Sequence, residues 1–349
     1  MSSTSETSSS EQAAFESALQ SAIDAKTKPL GSLGRIEDLA AQIARTQGVL
    51  KPRAQTCSLT IFAADHGLAA NGVSAFPQDV TRAMVHNFLA GGAAATVFAK
   101  SLDVTVQVVD AGIAGDRILH PDLVDRHIAA GTNNAIEQPA MAIAECEQAL
   151  EAGFLIGRQI DSDVACFGEM GIGNTSAASL VSAKILGSEI ADLVGRGTGL
   201  DQNGLTRKQT LLEQAAARTA PKLAPKIALA EYGGFEIAMM SGAMIGASRR
   251  RRVVMVDGFI ASAAALAARS LAPGCETAFI YAHVSAEAGH RLLLDALDAK
   301  PLLEFDMRLG EGTGAVLAWP LIRAAAAMLT DMATFESAQV SEQVEDGSA

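Results

Sequence analysis

The chain has 349 residues, 49% of them hydrophobic and 19% charged, which is ample for a buried core and, at ~150 residues each, for about two domains. Lys and Arg total 27 against 39 Asp and Glu, a net charge of −12. So acidic a chain has no electrostatic reason to seek nucleic acid or an anionic membrane, and any phosphate must be met by local backbone N–H groups and a few cations.

Residues 1–11 are rich in Ser and Glu, lack the basic and apolar regions of a signal peptide, and read as a disordered tail. From 12 to 47, Phe15, Leu19 and Ile23, then Ile36, Leu39 and Ile43, recur at helical spacing on either side of a turn at 28–34. Short apolar, often β-branched runs follow at 58–63, 104–109, 164–167, 252–256 and 277–281, each a candidate buried strand. Helical segments such as 80–100, 145–158 and 260–269 lie between them. This alternation predicts an α/β fold with a parallel sheet covered on both faces. The apolar stretches after Phe259 and Trp319 are interrupted by Arg or Asp and fall short of the ~20 residues of a membrane span. Cys57, Cys146, Cys166 and Cys275 are far apart, with no CxxC or zinc spacing, so a reduced, cytoplasmic compartment is expected.

Polar, acidic and glycine residues gather just past the runs: Ala64-Asp65-His66-Gly67, Asp110-Ala111-Gly112, a stretch from Gly168 to Thr175, Asp257-Gly258, and His283-Val284-Ser285. In open α/β sheets, ligands bind beyond the carboxyl ends of the strands. Three loops alternate Gly with other residues: Gly171-Ile-Gly173-Asn-Thr175, Gly195-Arg-Gly197-Thr-Gly199 and Gly310-Glu-Gly312-Thr-Gly314. None fits GxGxxG or GxxxxGK[ST], which argues against a nicotinamide-dependent oxidoreductase and a Walker loop. Glycine lets consecutive N–H groups converge on an anion, and Asn174, Thr175, Thr198 and Thr313 can add polar contacts. A phosphate or ribose site follows, with Lys208 as either a nearby cation or a solvated helix-face lysine.

Glu311 and Glu169 each lie within Gly-flanked loops where no helix face explains them. A carboxylate can stabilise the oxocarbenium character that develops when a bond between ribose C1′ and a nitrogen base breaks. A glutamate enclosed by apolar walls has its pKa raised toward the range useful for taking an azole proton. His66 and His86 with Asp65, and His283 with His290, lack metal-ligand spacing, so no metal is expected.

At these motifs the sequence resembles the nicotinate-nucleotide–dimethylbenzimidazole phosphoribosyltransferase family. The residues that carry the resemblance are Lys28-Pro-Leu-Gly-Ser-Leu-Gly34, Ala64-Asp-His-Gly67, Gly72-Val-Ser-Ala-Phe-Pro-Gln78 and Gly168-Glu-Met-Gly-Ile-Gly-Asn-Thr175. Gly195-Arg-Gly-Thr-Gly199, Val256-Asp-Gly-Phe259, His283-Val-Ser-Ala-Glu287 and Leu309-Gly-Glu-Gly-Thr-Gly314 complete it. Ala282 and Ala288 depart from the Ser and Pro expected around the His-Val-Ser-Ala-Glu motif. The resemblance implies a homodimer with a large Rossmann-like catalytic domain, 48–317, and a small helical domain from both chain ends, 12–47 and 318–340. It implies transfer of phosphoribose from nicotinate mononucleotide to 5,6-dimethylbenzimidazole, with no cofactor. It makes Glu311 the base, with Glu169 as the second catalytic carboxylate. Gly171, Gly173, Asn174, Thr175, Gly197, Thr198, Gly312 and Thr313 would surround ribose and phosphate, with Lys208 a looser match. Ser74, Phe76, Gln78, Met170 and Leu309 would form an apolar slot for the base. A non-catalytic nucleotide-binding protein of the same fold remains an alternative reading.

Overall fold

The computed structural model describes residues 3–197 and 199–341. Two compact units divide it, residues 1–55 with 320–349, and residues 56–319. The sequence placed these boundaries after 47 and after 317.

The larger unit is built on β1 (Cys57–Ala64), β2 (Val104–Gly112), β3 (Leu123–Asp125), β4 (Val164–Met170), β5 (Val253–Val256) and β6 (Phe279–Tyr281). They form one sheet in the order β3-β2-β1-β4-β5-β6, with every neighbouring pair parallel. The order reverses between β1 and β4, and at such a switch point the chains leave in opposite directions and open a crevice beyond the strand ends. A second, two-stranded parallel sheet joins β7 (His283–Val284) to β8 (Leu303–Glu304).

In chain order the helices are α1 (Ser3–Asp24), α2 (Arg35–Gln47), α3 (Val80–Leu89), α4 (Ala94–Ser101), α5 (Ile143–Gln159), α6 (Asn174–Leu186) and α7 (Gln202–Ala216). They continue as α8 (Pro225–Tyr232), α9 (Phe235–Arg249), α10 (Phe259–Leu271), α11 (His290–Ala296), α12 (Thr313–Asp331) and α13 (Phe335–Ala338).

The five apolar runs of the sequence all became strands of the main sheet. β1, β4, β5 and β6 are buried almost along their whole length, as strands covered on both faces must be, while β2 is partly exposed over 105–107 and buried from Val108 on. β3, β7 and β8 went unread, being two or three residues long and only partly apolar. The segment 80–100, read as one helix, is two. Gly91 takes a left-handed backbone with φ 75°, and the amide of Gly92 turns back to Asn87 O at 3.0 Å, ending α3 before α4 begins. α6, α9 and α10 are buried on nearly all sides, which explains their Ala, Gly and Ser content: small side chains let helices and sheet approach closely.

In the smaller unit, Leu19 and Ile23 of α1 and Leu39 and Ile43 of α2 are buried, the helical faces expected from their spacing. Gly48 closes α2 in a left-handed conformation, its amide reaching Ala44 O and Arg45 O. α1 starts at Ser3, within the segment 1–11 that the sequence reads as a disordered tail. That stretch has no apolar residue before Ala13 except Met1, so no periodicity marked it as helix. The apolar stretch at Trp319 also needs correcting. It belongs to a 19-residue helix, α12, long and apolar enough by composition to cross a membrane, but 61% of that window is buried inside the protein. It packs as a core helix.

Candidate active site

β4 ends in Glu169 and Met170, then turns through Gly171, Ile172 and Gly173 into α6. Two of these positions must be glycine. A side chain at Gly171 would lie 2.3 Å from the carbonyl oxygen of Ala64 at the end of β1. Gly173 holds φ 97° at the helix start. The turn therefore lies directly against the switch point. Ile172 N–H donates to Thr81 Oγ at 3.1 Å, which ties the start of α3 to the turn.

A cavity opens here, lined among others by Glu169, Met170, Gly171, Asn174, Thr175, Gly197, Asp257, Ser285, Glu287, Arg308, Leu309 and Gly310. It gathers the loops beyond β4, β5 and β6 with the second and third glycine loops. Glu169 is buried, accepts a hydrogen bond from Asn174 Nδ2, and touches the third loop so closely that a side chain at Gly310 would lie 2.3 Å from its Oε1. Burial first, then the charges of Glu236, Asp257 and Glu311, push its pKa up to about 8, against the amide of Glu311.

Glu311 occupies the middle of three successive left-handed residues, Gly310, Glu311 and Gly312, with φ of 82°, 64° and 83°. A non-glycine residue there is uncommon, and such strain gathers at functional sites. The turn rests on β4, where a side chain at Gly168 would lie 2.3 Å from the carbonyl carbon and oxygen of Glu311. Glu311 is only 4% exposed, and its Oε2 has no hydrogen-bond partner. Burial pushes its pKa up to about 7, the Ala95 amide at the start of α4 opposes this, and Asp257 adds to it. The side chain is thus not on the outer surface. Its chain neighbours Leu309 and Gly310 line the cavity, and Glu311 itself is not among the lining residues.

Several expected phosphate groups have other work. Lys208 is fully buried and donates to Thr175 Oγ1 at 2.9 Å and Gly195 O at 3.2 Å. Burial holds its pKa down to about 8, with Glu287 pulling upward. It stands behind Thr175 rather than in the cavity. Gly312 N–H donates to Asp257 and Thr313 Oγ to Gly310 O, so these donors are already taken by near neighbours. Thr198 lies outside the described residues. Gly171, Asn174, Thr175 and Gly197 do line the cavity, as do Met170 and Leu309. Ser74, Phe76 and Gln78 lie on the loop before α3, not in the cavity lining. Ser74 Oγ accepts the Phe76 amide at 3.2 Å, and Phe76 is 48% exposed.

The structure also adds groups to which the sequence assigned no role. Asp257, Ser285, Glu287 and Arg308 line the cavity, and Arg308 donates to Gly197 O at 3.1 Å. His66 pairs with Glu236 at 2.5 Å in a fully buried contact behind Gly171. Burial opposes the charge on His66, but Glu236 and Asp65 raise its pKa overall. A signal for this pair was present: Glu236 is the lone acid in an otherwise apolar helical run. Among the described residues, no three His, Cys, Asp or Glu side chains are grouped to hold a metal ion.

A family model described as phosphoribosyltransferase matches residues 9–340, and that span contains every loop of the cavity. The chain belongs to this phosphoribosyltransferase family. Among curated relatives, the nicotinate-nucleotide–dimethylbenzimidazole phosphoribosyltransferase of Dechloromonas aromatica (strain RCB) is 51% identical over 335 residues, 94% of this chain and 96% of that protein. The protein of that name from Cupriavidus necator is 51% identical over 326 residues, covering 93% and 94%. Among solved structures, CobT from Thermus thermophilus aligns with a TM-score of 0.91 at 43% identity, covering 94% of this chain and 99% of that one. The family fold is thus shared over nearly the whole chain.

Proposed function

We propose that the chain transfers the phosphoribosyl group of β-nicotinate mononucleotide to 5,6-dimethylbenzimidazole, giving α-ribazole 5′-phosphate and nicotinate for cobalamin synthesis. The relatives at about half identity bear that name, and one observation in the fold carries the chemistry. Two buried carboxyls bear on each other at the end of β4, Glu169 on the strand and Glu311 on the turn that rests against it, with pKa values pushed to about 8 and about 7.

One benzimidazole nitrogen attacks C1′ from the face opposite nicotinate and forms the new C–N bond. The old glycosidic bond breaks, and its electron pair returns to the pyridinium nitrogen, so nicotinate leaves without an acid. The N–H proton of the other benzimidazole nitrogen passes to Glu311. A base with pKa near 7 is half ionised at neutral pH and takes that proton without a large mismatch. Burial and the neighbouring carboxylates favour the protonated form of Glu169 before substrate binds. A cationic pyridinium, and then the oxocarbenium character at C1′, favours its ionised form and is stabilised by it.

Phosphate and ribose would meet the turn at Gly171, Gly173, Asn174 and Thr175 and the second loop at Gly197 and Thr198, with Arg308 as the exposed cation. Lys208 acts through Thr175: a lysine only donates, so Thr175 Oγ accepts from it and keeps its own proton to give to substrate. The flat base needs an apolar slot with few polar groups. Met170 and Leu309 supply walls, and the loop of Ser74, Phe76 and Gln78 would close over it. A cytoplasmic homodimer, with the smaller unit as a helical domain and 56–319 as the catalytic one, completes the reading.

Nicotinate release from nicotinate mononucleotide and dimethylbenzimidazole tests it. Glu311→Gln is expected to lose on the order of 10²–10⁴ in kcat while keeping nucleotide affinity, and the parent's kcat should rise with pH through about 7. A Glu311→Gln enzyme at the parent's rate would remove the base from this role.

A further inference from the structure

The turn that carries Glu311 should not hold itself. Three successive left-handed residues, one of them not glycine, store backbone strain at the non-glycine position, so neighbouring groups must over-determine the conformation. The Asp257 carboxyl, at the end of β5 and 2% exposed, supplies the constraint. Its Oδ2 accepts the Gly312 amide at 3.2 Å and its Oδ1 the Ala315 amide at 2.8 Å. The Gly314 amide also stabilises its charged form. The first of these donors belongs to the left-handed turn and the others to the first turn of α12, whose opening amides have no partner within the helix. Behind it, His283 Nε2 lies 3.7 Å from Oδ1. A side chain at Gly314 would come within 2.1 Å of the His283 ring, so the imidazole closes the other side of the clamp.

We infer that Asp257 is a positioning residue for the Glu311 base: by holding the Gly312 and Ala315 amides, it fixes the turn that carries Glu311. This rests on Glu311 being the base. Asp257 also acts on Glu311 through its charge. The groups bearing on the Glu311 carboxyl are Asp257 beyond β5, Glu169 at the end of β4 and the Ala95 amide at the start of α4. Burial raises the pKa of Asp257, and His283 with the three amides opposes this. All the hydrogen bonds on its two oxygens come from N–H donors, so the site is built for the ionised form. Removing that charge lets Glu311 ionise at lower pH.

The experiment compares the parent, Glu311→Gln and Asp257→Asn in the full chain, with nicotinate release followed across pH and nucleotide affinity measured separately. Asp257→Asn keeps the shape but loses the charge and one acceptor. A displacement of about 1 Å at a reacting group costs on the order of 10²-fold. The expected result is a kcat loss of about 10- to 100-fold, nucleotide affinity unchanged, and an acid limb of the kcat profile moved to lower pH. A purely structural role would lower kcat without moving that limb, and this outcome overturns the inference, as does a parental rate and profile. If Glu311→Gln turns over at the parent's rate, the base assignment itself fails and the inference falls with it. If Glu311→Gln is impaired and Asp257→Asn is not, only the inference fails. Should Asp257→Asn not melt as a folded protein, Asp257→Ser takes its place. The smaller side chain adds no clash in the buried site and cannot hold the Gly312 and Ala315 amides together. It should lower kcat about tenfold or more with KM for the nucleotide unchanged, and a parental kcat would overturn the inference.

Discussion

Glu311 has to satisfy two demands that pull apart, a carboxyl buried enough to hold its proton near neutrality and a backbone that brings it to the sheet's ligand edge. The second is met by the contact of its own carbonyl with Gly168, which no other residue type could allow. Gly168→Ala would put a methyl 2.3 Å from the carbonyl carbon and oxygen of Glu311, and backbone atoms cannot swing away as a flexible side chain would. The variant is expected to lose about 1–3 kcal/mol of stability and on the order of 10² in kcat, read by urea unfolding and nicotinate release. A variant with parental kcat would mean that the turn need not sit where it does. At this scale the sequence was legible where glycines framed an acid, at Glu169 and Glu311. It was silent on donors that end up bonded inside the protein. Thr313 and Gly312 look like free phosphate ligands in a string of letters, but Thr313 turns back locally onto Gly310 O and the fold brings Asp257 to the Gly312 amide.

The elements show a similar division. Continuous apolar, β-branched runs found the strands and helical spacing found helices buried on one face, but α5 and α9 meet through something that neither pattern expresses. Their backbones touch at glycines: a side chain at Gly157 would lie 2.1 Å from Ala243 O, and one at Gly242 2.0 Å from Leu150 O. Such mutual notches let two helices cross at nearly van der Waals backbone separation. Gly157→Ala should therefore destabilise the fold by about 1–3 kcal/mol or more, although alanine is intrinsically the better helix former by about 1 kcal/mol. Thermal melts would check the sign, and a rise in Tm would show that helix propensity outweighs the clash. His290 on α11 gives another case. Burial pushes its pKa down to about 3, and its Nδ1 accepts the Ser285 amide at 2.8 Å. The proton must then sit on Nε2, which reaches Ser262 Oγ at 3.0 Å. His290 is thus a brace for the Ser285 loop.

For the whole molecule, the two raised carboxyls make stability depend on pH in a direction opposite to that of a salt-bridged acid. Unfolded glutamates ionise near ~4.3, while Glu311 and Glu169 hold their protons to about 7 and about 8. Between these limits the folded chain binds more protons than the unfolded one, so stability falls as pH rises. The contribution is complete below the unfolded value and is lost by the time pH passes the folded ones. Glu169→Gln cannot ionise and escapes this loss. Its Tm advantage over the parent is expected to grow between about pH 5 and about pH 8.5, and a constant difference across that range would mean the carboxyl ionises freely in the fold.

By itself the sequence determined that the chain alternates buried strands with helices, that polar loops follow the strands, and that two acids are framed by glycine. These are local properties, set by side-chain periodicity and by the few residues able to adopt positive φ. Only the tertiary structure decided which loops share a crevice. Strand order is a matter of pairing between segments far apart in the chain, and that order places the end of β4 against β1 and beside β5. From it follow the neighbours of each acid, with Lys208 placed behind Thr175 and Asp257 reaching the turn of Glu311. Burial and charge at a site are sums over such distant neighbours, which no stretch of sequence contains.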